Sequence, residues 1–294
     1  EIIEKEAFHV VVSDMRMPGM NGAELLSKIK QISPNTLRIL LTGYAEMDNI
    51  LKSINHGEVY RFLEKPWVNQ DLKTKVLKAA DISASLWSSE ATNPLLDLSN
   101  NHIKTGIIEP KEFDKSQAVL FIGHMKSDVL NLLESQFELP IYPASNVQKA
   151  MLMLSNHPEI SVIIVHVDSK YRALNSYSHF RDNTTLLKTL KAIFPSVISL
   201  VVSDESDAQT AIALVNEAQV FRYLSPPFTH RKIVQDLSDA LQYARLIQVD
   251  PTLAELHHVE EMDLQEKTEF MEKFDITLFD KVKNRFNKIF SILN

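Results

Sequence analysis

One feature limits what this chain can fold into more than any other: it repeats itself at a fixed distance. The stretch "IKQISPNTLRILLTG" (29–43) has the same shape as "LKAIFPSVISLVVSD" (190–204), and "YRFLEKPW" (60–67) the same shape as "FRYLSPPF" (221–228). Both pairs are separated by 161 positions, from 29 to 190 and from 60 to 221. Each copy runs through a helix end, a proline, a short apolar strand and a small polar residue at the strand's exit. A constant separation over some 40 residues marks two copies of one supersecondary unit. A length of 294 residues accommodates two domains with cores of their own.

The strands "HVVV", "RILL", "VIIV" and "SLVV" are apolar without alternation and rich in β-branched residues, as buried parallel strands are. Helical patterns lie between them: 22–32 with Leu25, Leu26 and Ile29, then 46–56 with Met47, Ile50, Leu51 and Ile54. A third runs from Gln70 to Trp87 with Leu72, Val76, Leu77 and Ala80. Strand and helix in alternation predict right-handed crossovers and doubly wound parallel sheets. In such sheets chemistry gathers outside the carboxyl ends of the strands. Asp14 and Thr42 each follow directly on a strand, and Lys65 ends "VYRFLEK". A carboxylate with an ammonium and a hydroxyl beside it suits phosphoryl transfer. The carboxylate is the nucleophile, and the other two groups stabilise the phosphoryl oxygens. Taken singly, each residue has a plainer explanation: Asp14 a helix cap, Thr42 a turn, Lys65 a solvated charge and Phe62 core packing. Met15, Met17 and Met20 are expected to pack rather than to bind metal.

"SDMRMPGMNG", "LLTGYA" and "YRFLEKPW", in that order, resemble the receiver domain of bacterial two-component response regulators over residues 1–87. "TGYA" with "YRFLEKPW" is further similar to receivers attached to cyclic-di-GMP phosphodiesterase modules or to hydrogenase-type transcription activators. The resemblance implies a flavodoxin-like receiver fold, with Asp14 as the phosphoacceptor and Thr42 and Lys65 as the catalytic hydroxyl and amine. It implies Thr42 and Phe62 as switch residues, and Mg²⁺ held by Asp14 and the backbone carbonyl of Arg16. It also implies a sensor histidine kinase or a phosphotransfer protein as partner, and no enzymatic activity beyond self-phosphotransfer and autodephosphorylation. Receivers begin with a strand ending in two acidic residues, but only "EIIEKEAF" precedes the Asp14 strand, and it reads as the end of a helix. The first domain is therefore expected to lack its first strand, first helix and second strand.

The second copy, 116–247, is expected to be a degenerate pseudo-receiver. Gly123 and His124 stand where the acidic pair belongs, Pro226 replaces the lysine, and Ser203 keeps the hydroxyl. Aligning "VIIVHVDSK" on "VVVSDMRM" sets Val167 opposite Asp14, with Asp168 one place late and eight inserted residues after it. The Ser-, Asn- and Pro-containing stretch 88–115 predicts a linker. Residues 248–294 predict a helical tail in which Leu278, Val282, Phe286, Ile289 and Leu293 form an apolar stripe, behind a capping box of Thr277 and Asp280.

Other classes find no support. The ten histidines include no HExxH pair, and no Walker loop or GxGxxG occurs. With no cysteine there is no disulfide or thiolate chemistry, and a net charge of −7 offers no general attraction to nucleic acid. No membrane span or secretory signal is seen, which predicts a cytoplasmic protein. The expected function is a response regulator of a phosphorelay. The alternative is an unphosphorylated scaffold of receiver-like docking modules. Under 20 residues, the tail helix needs a partner surface, and a homodimer is expected. Phe286→Asp, with a charge in mid-stripe, should turn a dimer into a monomer in light scattering without unfolding either domain.

Overall fold

The computed structural model describes residues 2–43, 50–51, 53–54, 59–88, 116–123, 127–167, 183–204, 207–226, 229–257 and 259. The apolar stripe of the tail, the linker 89–115 and Asp168 lie outside the described residues. Three strands, β1 (Val10–Asp14), β2 (Leu37–Thr42) and β3 (Arg61–Glu64), form one parallel sheet in the order β1-β2-β3. Helix α1 (Gly22–Ile32) connects the first two, and α2 (Asn69–Ser88) follows the third. The second unit has five strands: β4 (Ala118–Ile122), β5 (Ile141–Ala144), β6 (Ile160–Val167), β7 (Ile198–Ser203) and β8 (Arg222–Leu224). They form a wholly parallel sheet in the order β5-β4-β6-β7-β8, the flavodoxin-like arrangement. Its helices are α3 (Ser127–Phe137), α4 (Val147–Asn156), α5 (Asn183–Ile193), α6 (Ala208–Ala218) and α7 (His230–Val249). A 3₁₀ turn (Pro251–His257) then packs back, its Leu253 carbonyl accepting from the Tyr243 hydroxyl at 3.2 Å.

The repeat holds residue for residue. A shift of 161 carries α1 onto α5, β2 onto β7 and α2 onto α7. The pairing of Ile39 with Arg61 recurs as Leu200 with Arg222. Even local contacts recur. Arg61 stacks over Tyr60 and donates to its carbonyl, and Arg222 does the same with Phe221.

Four expectations are corrected. Residues 3–5 form a turn and not a helix end, with the Lys5 N–H on the Ile2 carbonyl at 2.9 Å. The Asp14 strand is not fully buried: among the described residues β1 pairs only with β2, and Val12 is 40% exposed. The buried side of α2 is Ala79, Ile82, Ser83 and Leu86, while Leu77 faces solvent. Finally, Asp14 pairs with Leu41 on β2, and the equivalent partner of Val202 on β7 is His166. His166, not Val167, therefore stands opposite Asp14. The apolar run "VIIVHV" reads equally well in either register, and only the ladder to β7 decides between them.

Two continuous clusters of buried apolar side chains cover the faces of the sheets, and both run through the two units. One contains Met15, Leu40 and Phe62 together with Val201, Val215 and Tyr223. The other contains Ile39, Leu63 and Ile82 together with Ile164, Leu200 and Leu237. No helix among the described residues is long and apolar enough to cross a membrane.

Lys191, at the end of α5, is buried within this frame and donates through Nζ to the Val197 carbonyl at 2.7 Å. Burial pushes its ammonium down to about 7. Between that value and the unfolded value near 10.4 the unfolded chain binds more protons, so stability rises with pH. The rise can reach about 1.4 kcal/mol per pH unit. Denaturant titrations should show it between pH 7.5 and 9.5, and Lys191→Met should flatten it.

Candidate functional site at the carboxyl rim of the first sheet

Because β1, β2 and β3 are parallel, their last residues line one rim, and the chain places Asp14, Thr42 and Lys65 there. Asp14 ends β1 about one-third exposed. Its Oδ2 accepts from the Lys65 ammonium, and its Oδ1 from the Arg16 N–H at 3.1 Å. The Lys65 ammonium, followed by that N–H, holds the Asp14 carboxyl below the usual carboxylate range, against a smaller opposing effect of burial. The carboxylate is thus ionised and aimed at solvent.

Lys65 is fixed by its own backbone, whose N–H donates to the Thr42 carbonyl at 2.9 Å, and its peptide bond to Pro66 is cis. Thr42 lies on the rim but is buried, and its hydroxyl donates to the Gly43 carbonyl at 3.2 Å. Phe62 sits inside the core at 1% exposure, three residues before Lys65. Of the predicted residues, Asp14, Lys65 and the Arg16 backbone are in direct contact. Thr42 adjoins them through the main chain, and Phe62 lies behind them. Among the described residues no group of three or more histidine, aspartate or glutamate side chains could hold a metal ion. Asp14 and the Arg16 carbonyl offer two oxygen ligands, and Mg²⁺, which keeps several waters and takes phosphate oxygens, could fill its remaining positions with those.

One site residue carried no signal of its own. The turn after Asp14 returns through Gly19, at φ +84°, to the start of α1, where Asn21 caps the helix by accepting from the Glu24 N–H at 2.9 Å. There Gly22 donates its N–H to the Met15 carbonyl at 3.0 Å. A Cβ on Gly22 would lie 2.2 Å from the Asp14 carbonyl oxygen, so no other residue fits without moving the acid's backbone. The only hint was the final glycine of "SDMRMPGMNG".

The same rim in the second unit is built differently. His166 occupies the acid's place, nine-tenths buried, with Nε2 3.1 Å from Asp204 Oδ1. Gly123, at φ +120°, presses against it: a Cβ there would meet the His166 carbonyl oxygen at 3.0 Å. Pro226 stands where Lys65 stands in the first unit.

Residues 1–77 match the response regulator receiver domain family. Among curated proteins, the hydrogenase transcriptional regulatory protein HoxA of Bradyrhizobium diazoefficiens is 26% identical over 104 residues, 35% of this chain and 21% of that protein. Sporulation initiation phosphotransferase F of Bacillus subtilis is 36% identical over 78 residues, 26% of this chain and 62% of that protein. Among solved structures, a CheY-like response regulator receiver domain protein from Methanospirillum hungatei aligns with a TM-score of 0.37 and 12% identity, covering 44% of this chain and 97% of its own. The chain thus spans less than two-thirds of the length of these curated relatives. Residues 1–77 are thus similar to receiver domains of the response-regulator type, and the unit they open is a parallel α/β fold.

If Lys65 is the main cause of Asp14's acidity, Lys65→Ala should raise the pKa of that carboxyl toward about 3.9, as followed by carboxyl-carbon NMR. The sign for stability follows. The contribution of the pair is present above the unfolded pKa and is lost as pH falls through the lower folded one, so the variant should lose stability at neutral pH, and the difference from the unaltered protein should shrink as the pH falls below about 3.9.

Proposed function

We propose that the protein is a response regulator of a two-component phosphorelay and that Asp14 accepts the phosphoryl group. The observation that carries this reading is the pairing of an ionised, solvent-facing Asp14 with Lys65 at the carboxyl rim of a receiver-type sheet. A carboxylate oxygen attacks the phosphorus of a phosphohistidine on a sensor kinase or phosphotransfer protein. The P–N bond breaks, its electron pair returns to the imidazole, and an acyl phosphate forms on Asp14. Lys65 neutralises charge on the transferred group, and Thr42 supplies a hydroxyl to it once its bond to Gly43 is released. Phe62 and Thr42 are the switch residues. Mg²⁺ supplies charge neutralisation when bound. Asp14 and the Arg16 carbonyl are its donors within this chain.

The domain plan has a receiver over 1–87, a linker over 88–115, a degenerate receiver over 116–247 and a tail over 248–294. With His166 in the acid's place and Pro226 in the lysine's, the second receiver lacks the carboxylate and the ammonium at those two positions. The protein is a cytoplasmic homodimer, binds no nucleic acid directly, and performs no chemistry beyond its own phosphorylation and dephosphorylation.

Incubation of the full-length protein with acetyl phosphate and Mg²⁺ should add one hydroxylamine-labile phosphoryl group, seen by intact-mass spectrometry. Asp14→Asn should remove it. A label that survives this substitution places the acceptor elsewhere.

A further inference from the structure

Strand β3 delivers Lys65 to the rim and carries Phe62, and it lies at the edge of its sheet. On the edge away from β2, the N–H and carbonyl of Phe62 need partners that no strand among the described residues provides. A single side chain supplies both. Asn216 Oδ1 accepts from the Phe62 N–H at 2.9 Å, and Asn216 Nδ2 donates to the Phe62 carbonyl at 3.0 Å. A carboxamide holds a donor and an acceptor in one plane, and so reproduces what a neighbouring strand would offer. It comes from α6 of the second unit, 154 residues away in sequence. Val215 beside it belongs to the same buried cluster as Phe62, so backbone and side chain of Phe62 both meet the second unit's share of the core.

We infer that Asn216 is a positioning residue for the phosphoacceptor site, holding β3 at Phe62 so that the second unit senses and biases the state of Asp14. This rests on the reading of Asp14 as the phosphoacceptor. β3 is four residues long, and Lys65, tied to both Asp14 and Thr42, begins one residue past its end. A phosphoryl group on Asp14 takes over the Lys65 ammonium and adds negative charge, so the end of β3 must adjust. A strand this short, clamped at its second residue, passes that adjustment to whatever holds it. Coupling of this kind is reciprocal: a second unit that holds β3 in one position also changes how readily Asp14 is phosphorylated. The second unit has lost the groups for the reaction itself, and this contact gives it a part in the first unit's reaction.

The test is amide hydrogen exchange on the full chain, with and without Mg²⁺ and beryllofluoride as the acyl phosphate mimic. In the unaltered protein beryllofluoride should change exchange at residues 10–16 and 60–66, and also, by at least threefold, in α6. In Asn216→Ala the Phe62 amide should exchange at least tenfold faster. The rim should still respond and α6 should not. The isosteric Asn216→Asp keeps the acceptor but sets a carboxylate against the Phe62 carbonyl. It should keep the fold if the alanine variant does not, and lose at least half of the α6 response. A rim that responds while α6 stays silent in the unaltered protein overturns the inference and leaves the phosphoacceptor reading intact, as does an α6 response that survives both substitutions. A rim that ignores beryllofluoride overturns both.

Discussion

Everything at the candidate site depends on strands running the same way. In an antiparallel arrangement the residues after β1, β2 and β3 would fall on alternate edges of the sheet, and Asp14 could not reach Lys65. Parallel pairing places all three exits on one rim, and the intervening chain must then cross back along the sheet, as α1 does between β1 and β2. The cost is a sheet whose strands need cover on both faces. That cover comes from the two apolar clusters, which continue without a break into the second unit. The chemistry of a few polar residues therefore rests on apolar packing drawn from both halves of the chain.

The two rims show what a duplicated frame preserves. Register, helix boundaries and the stacked arginines persist at a shift of 161, whereas the acid, the lysine and the open rim do not. At the second rim an imidazole takes the acid's place, paired with Asp204 and pressed by the backbone of Gly123. Packing tolerates this exchange because the ladder beneath it is main chain to main chain.

Much of this was legible in the residues. The repeat followed from two pairs of strings, and Asp14, Thr42 and Lys65 each stood at or within a residue of the end of a strand-like run, which is enough to place them on one rim. What escaped was set by contacts that one-dimensional patterns do not encode. The one-residue slip at His166 arose because a run of valines and isoleucines carries no mark of which residue faces which. Leu77 fits a helical stripe on spacing alone, but the side of α2 that packs is fixed by where the helix sits on the sheet. Nothing in the residue pattern marks Asn216, and its pairing with the Phe62 main chain becomes visible only with β3 lying beside it.

Gly22 illustrates a different kind of dependence. It has no side chain, bears no charge and touches the nucleophile's residue only through the space it leaves unfilled. A mutational scan of this protein would rank it among the least tolerant positions, close to the acid and the lysine, and its profile would resemble that of a catalytic group. Intolerance at this position would record the closeness of two backbones. For any protein built on a strand, a tight turn and a helix of this kind, the list of irreplaceable residues is longer than the list of reactive ones.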